Sequence, residues 1–125
     1  MRLPIALGVL TFFGTPASAV SWLTVGTDEA NAVWSMDADG LRREGQTVIV
    51  WLKADHTLDL TVRYRTALSL MQIDCASQSY RRLSLIQRRA NGTVLNGSDE
   101  ADISERPIAP DTMIRLVADR ACNRP

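Results

Sequence analysis

The sequence predicts an α+β fold: a small, mostly antiparallel β-sheet with one C-terminal helix clipped to it by a disulfide. Three observations predict it. Between residues 21 and 95, short runs rich in β-branched and aromatic side chains are separated by Gly, Asn and Asp turn signals. Beyond Pro107 and Pro110 the apolar spacing changes to a helical period. The two cysteines, Cys75 and Cys122, follow a leader that sends the chain to an oxidising compartment, where an even cysteine count is expected to pair.

That leader is residues 1–19. Arg2 gives a positive start, residues 3–13 are almost wholly apolar, and Ala17-Ser18-Ala19 is a small-x-small cleavage site. The apolar run is too short for a span of about 20 residues, so a cleaved secretory signal peptide is expected rather than an anchor. Val20, not cysteine, follows the cleavage site, so no lipidation is expected there. Residues 20–125 then form one domain, small enough for a staple to matter.

Within that domain, residues 21–26 and 32–36 are short strand candidates separated by Thr27-Asp28-Glu29. Asp37-Ala38-Asp39-Gly40 is a turn signal, and Glu44-Gly45 makes a second break. Residues 47–52 (TVIVWL) give the strongest strand signal; their density predicts a central strand buried on both faces. Residues 58–76 alternate in two phases. Leu58, Leu60, Val62 and Tyr64 share one parity, whereas Met71, Ile73 and Cys75 share the other, which predicts a bulge or a turn between two strands near Thr66-Ala67. Residues 80–89 form another strand, Asn91-Gly92 a hairpin turn, residues 93–95 a short returning strand, and Asn96-Gly97 a further turn. Met113, Leu116, Val117 and Arg120 follow helical spacing, with Asp111 or Thr112 placed to cap the first turn. Cys122 ends that helix, so a Cys75–Cys122 bridge would clip the helix to a strand.

The composition narrows the function. The chain has 14 basic and 14 acidic residues, and losing Arg2 with the leader leaves a slight acidic excess. A nucleic-acid binder would show a basic excess, so none is expected as partner. His56 is the only histidine and sits in a polar turn, expected to be solvent-exposed. No G-x-S-x-G motif accompanies it, which argues against a hydrolase and for a non-enzymatic protein. Two cysteines and one histidine do not make a structural zinc site, and residues 99–102 with Glu105 lack calcium-loop spacing, so no metal or cofactor is expected. Asn91-Gly92-Thr93 and Asn96-Gly97-Ser98 match the glycosylation sequon but read equally as turns. The arginines stand out among the polar residues. Arg63 and Arg65 share one strand parity, and Arg82 and Arg88 share another. On neighbouring strands they would make a basic stripe for carboxylates or sulfates, unless Asp59, Asp74 and other local acids pair with them.

Taken in order, these landmarks resemble the bacterial surface-adhesin protein E family. The matching residues are Trp22 with Val25-Gly26; Val33-Trp34 and Asp37; Gly40-Leu41-Arg42-Arg43-Glu44-Gly45; and Val48-Ile49-Val50-Trp51. Asp74-Cys75, Tyr80-Arg81-Arg82-Leu83, Gly92-Thr93-Val94, Pro110-Asp111-Thr112 and Cys122 complete the set. The resemblance covers residues 20–125. It implies an envelope domain of a Gram-negative bacterium, in the periplasm or on the cell surface, with an antiparallel sheet, a C-terminal helix and a disulfide between them. It also implies an adhesin-like role, with a host matrix protein, another protein or a second copy of the chain as candidate partners. A soluble periplasmic accessory protein is the alternative. Two features depart from the pattern: no lipid-anchoring cysteine, and Glu105-Arg106-Pro107 where an aromatic residue would stand.

Overall fold

The computed structural model describes residues 20–96 and 104–124. The leader, the Asn96-Gly97 turn from Gly97 onward and the acidic residues 99–102 lie outside the described residues. The strands are β1 (Trp22–Thr27), β2 (Val33–Asp37), β3 (Arg42–Glu44), β4 (Thr47–Asp55), β5 (Thr66–Asp74), β6 (Ser79–Arg88), β7 (Val94–Asn96) and β8 (Arg106–Pro107). Among the described residues one helix, α1 (Met113–Cys122), follows the last strand. The strands make a single sheet in the order β1-β2-β4-β5-β6-β7, with β3 added beside β4 and β8 beside β6. All of these pairings are antiparallel, so short turns suffice to connect neighbouring strands.

β4 is central, as its composition predicts, but it is not buried on both faces. In β4 and β5 buried and half-buried residues alternate strictly. Val48, Val50, Leu52, Met71 and Ile73 point to the covered side, where they meet Val117, Ala118 and Ala121 of α1. Ile49, Trp51, Leu68 and Leu70 point away from it. A single helix covers one face of a sheet, and the alternation records that asymmetry.

Thr112 caps α1: its hydroxyl accepts the Arg115 amide at 3.3 Å and donates to Ala109 at 2.8 Å. The Cys75–Cys122 disulfide joins the end of α1 to the turn after β5, with Cα atoms 5.8 Å apart. Arg43 reinforces this end by donating to the carbonyls of Cys122 and Arg124 at 2.9 and 2.8 Å. Its strand β3, across the Gly45 turn from β4, is a charged Arg-Arg-Glu segment with no apolar alternation to announce it.

Two further differences from the sequence reading matter for function. Residues 58–64 form a loop, not a strand, and β5 starts only at Thr66. The second is in β6. Met71 faces Arg82 and Leu70 faces Ser84, which leaves Leu83 as an extra residue on β6. The bulge is therefore in β6, not near Thr66-Ala67, and it reverses which side later residues face.

Candidate binding surface

The face of the sheet away from α1 is built from successive rungs across β4, β5 and β6. They read Ile49–Gln72–Arg81, Trp51–Leu70–Ser84, Lys53–Leu68–Ile86 and Asp55–Thr66–Arg88. Ile49, Trp51, Leu68, Leu70 and Ile86 form an apolar centre, and each remains half-buried. Charged groups surround it. Lys53 lies over the Trp22 ring, 4.8 Å from its centroid, and Arg42 flanks Ile49 from β3. Arg81 pairs with Glu105 at 3.3 Å, while the Ser79 hydroxyl donates to the other Glu105 oxygen at 2.6 Å. Those two contacts, the serine first, hold the Glu105 carboxyl below its ordinary pKa. An apolar centre with a polar, charged rim is the usual anatomy of a protein-binding surface.

The four arginines do not form one stripe. Arg63 and Arg65 are exposed in the loop between β4 and β5, because the alternation of residues 58–64 is not strand structure. Arg82 points to the helix side and Arg88 to the open side, because the extra Leu83 reverses the parity between them. Nor do the two named acids pair with them. The Asp74 carboxylate accepts the Ala76 and Ser77 amides, each at 3.0 Å, which lowers its pKa with the Ser77 amide as the main cause. Asp59 is committed to its own loop.

That loop is organised around His56, which is nearly buried rather than solvent-exposed. Its Nδ1 lies 2.8 Å from Asp59 Oδ2, and the two side chains are 9% and 3% exposed. The other Asp59 oxygen accepts the Thr61 hydroxyl at 2.5 Å and the Thr61 amide at 2.9 Å. The Thr61 hydroxyl, then His56, depress the Asp59 pKa. Tyr64 packs edge-on against the His56 ring, with centroids 4.9 Å apart. These polar contacts tie down the loop base, whereas its tip presents Leu58 and Leu60, 71% and 95% exposed. The tip was not legible beforehand, since its leucines mimic strand alternation.

At the same end of the sheet, Asp28 accepts the Trp34 indole N–H at 2.9 Å and the Ala30 and Ala32 amides at 3.0 Å. Burial raises the Asp28 pKa, but these three donors outweigh it and the net shift is downward. Among the described residues no group of three or more His, Cys, Asp or Glu side chains is placed to hold a metal ion. None of the described helices is long and apolar enough to cross a membrane.

These features define a small disulfide-stapled α+β domain with one helix-covered sheet face and one open, mixed apolar and charged face. Residues 22–123 match the model of the surface-adhesin protein E family, and the chain belongs to that family. The match spans every strand and the helix, including both cysteines. No curated protein matches the sequence significantly.

Proposed function

We propose that this protein is an exported, non-enzymatic, adhesin-like domain that contacts another protein at the cell envelope through the open face of its sheet. Membership of a surface-adhesin family supports the class of activity. The observation that carries the choice of surface is the apolar row Ile49, Trp51, Leu68, Leu70 and Ile86, half-exposed within a charged rim. Of the four arginines, Arg88 belongs to that rim. The leader of residues 1–19 would be removed to expose Val20, releasing the domain to the periplasm or the surface of a Gram-negative cell.

The test is a Trp51→Glu/Leu70→Lys double variant, compared with the unaltered protein for retention of envelope proteins and of host matrix proteins. Truncating a hot-spot residue at the centre of an interface costs at least about 2 kcal/mol, or roughly 30-fold in affinity, and tryptophan is enriched among such residues. Partners held by the unaltered protein should therefore be lost from a variant that still folds. A folded variant retaining the same partners would refute this surface. Sedimentation over a range of concentrations reports whether a second copy is the occupant, since the same variant would then abolish self-association. Protease accessibility on intact cells separates surface display from a periplasmic accessory role.

A further inference from the structure

The helix-covered side of the sheet is not filled along its whole length. Between α1 and the upper part of β5 and β6 lies a cleft of about 160 Å³. Trp34, Leu52, Met71 and Ile114 supply its apolar lining, and Ser69, Tyr80 and Arg82 its polar lining from the strands. The exposed Ser104 and Arg106 also line it. The Trp34 ring is fixed there because its indole N–H is held by Asp28. The bulge at Leu83 keeps Arg82 on this side of β6.

Arg82 is the anomaly. Its Nε is buried without a hydrogen-bond partner, the one such side-chain atom found among the described residues. Neither the His56–Asp59 contact nor the Arg81–Glu105 ion pair involves it. Buried polar groups are almost always satisfied, and a guanidinium edge presents parallel N–H donors suited to a carboxylate. We propose that this cleft binds a small organic anion, a carboxylate carried on an apolar or aromatic body, with Arg82 gripping the carboxylate.

The size and charge agree with that ligand. Apolar cavities of about 150 Å³ accept a benzene-sized body, and Trp34, Leu52, Met71 and Ile114 would enclose one. A carboxylate would satisfy the orphaned Nε, and the Ser69 and Tyr80 hydroxyls add neighbouring polar groups. The same chemistry is offered by a free organic acid or by the C-terminal aromatic residue of a protein. The cleft opens on the opposite side of the sheet from the surface proposed above, so either site is testable without the other.

The probes are benzoate, benzyl alcohol, inorganic phosphate and a short peptide ending in phenylalanine, with a free carboxylate or as the amide. Proton–nitrogen correlation spectra follow the Arg82 Nε–H and Trp34 indole resonances. Benzoate or the free-carboxylate peptide should shift both saturably. Benzyl alcohol and the amide should bind at least about tenfold more weakly because the charged hydrogen bond is missing, and phosphate more weakly because it has no apolar body to bury. Tighter binding by the peptide would assign the source to a protein terminus; binding by benzoate alone would assign it to a free acid. Arg82→Met should remove the response while the ligand-free thermal midpoint stays level or rises, because an unsatisfied buried donor has gone. Arg82→Lys should restore part of the affinity. The proposal is overturned if neither carboxylate probe saturates, if phosphate binds equally well, or if Arg82→Met binds unchanged. A lower ligand-free midpoint in Arg82→Met would also overturn it, by assigning Arg82 a structural role.

Discussion

Replacing both cysteines by alanine tests the coupling between helix and sheet. The bridge closes a sequence separation of 47 residues. In the chain-entropy treatment, a crosslink of that span raises the free energy of the unfolded chain by about 4 kcal/mol. With a midpoint entropy of about 2.1 cal/mol/K per residue over roughly 100 residues, that loss lowers the thermal midpoint by roughly 20 °C. The native state should survive, because Val117, Ala118 and Ala121 remain buried against Val48, Val50 and Ile73 without help from the sulfurs. The measurement is calorimetric unfolding of Cys75→Ala/Cys122→Ala beside the oxidised protein, with amide exchange of α1 at low temperature. A drop under about 5 °C, equivalent to roughly 1 kcal/mol, would refute the entropic account. Rapid exchange of the Val117, Ala118 and Ala121 amides in the folded variant would refute independent docking of the helix.

Two further predictions concern carboxylates. The folded-state pKa of Asp59 lies below its unfolded value, so its stabilising effect is present above about pH 4, the unfolded range, and fades as pH falls through the folded value. Thermal midpoints measured from neutral pH downward should therefore stay level and then decline in acid, and Asp59→Asn should show a shallower acid decline; an unchanged decline would refute a role for Asp59 in it. At the β2–β3 turn, the Gly40 amide donates to Asp37 Oδ1 at 3.0 Å, and a Cβ on residue 40 would lie 2.2 Å from Asp37 Oδ2. Gly40→Ala must displace that carboxylate and should cost about 1 kcal/mol, but nearly nothing in an Asp37→Ala background; equal costs in urea denaturation would refute the clash.

The parts of the fold that the sequence made legible are those where a local rule and the tertiary environment agree. β4 combines β-branched density with a central position, Thr112 can both cap and begin a helix, and the two cysteines could only pair with each other within the chain. Residues 58–64 misled because alternation is necessary for a half-buried strand but not sufficient. There Asp59 draws in Thr61 and His56, and that side-chain network competes successfully with a ladder. β3 and β8 are only three and two residues long, polar or proline-containing, and exist because a neighbouring edge was open. The cleft was invisible for another reason: its walls come from β2, β4, β5, β6, the segment at β8 and α1, and no sequence window contains them together.

The arrangement of both candidate surfaces rests on the extra residue at Leu83. With the strict parity of the sequence, Arg82 and Arg88 would share a face. With the bulge, Arg82 enters the cleft while Ser84, Ile86 and Arg88 join the open face. Deleting Leu83 tests this directly. If Leu83 is the unpaired residue, its removal leaves Met71 opposite Arg82 and Leu70 opposite Ser84, now as successive regular pairs. ΔLeu83 should then fold with every other β6 residue on its original face. Deleting Leu70, which has a partner across the ladder, should instead reverse one arm of β5 and expose either Ile73 and Met71 or Ser69 and Ala67. Amide-exchange and thermal-unfolding measurements should find ΔLeu83 folded and cooperative and ΔLeu70 unfolded. If both deletions are equally damaging, Leu83 is paired in solution, and the separation of Arg82 from Arg88 has another origin.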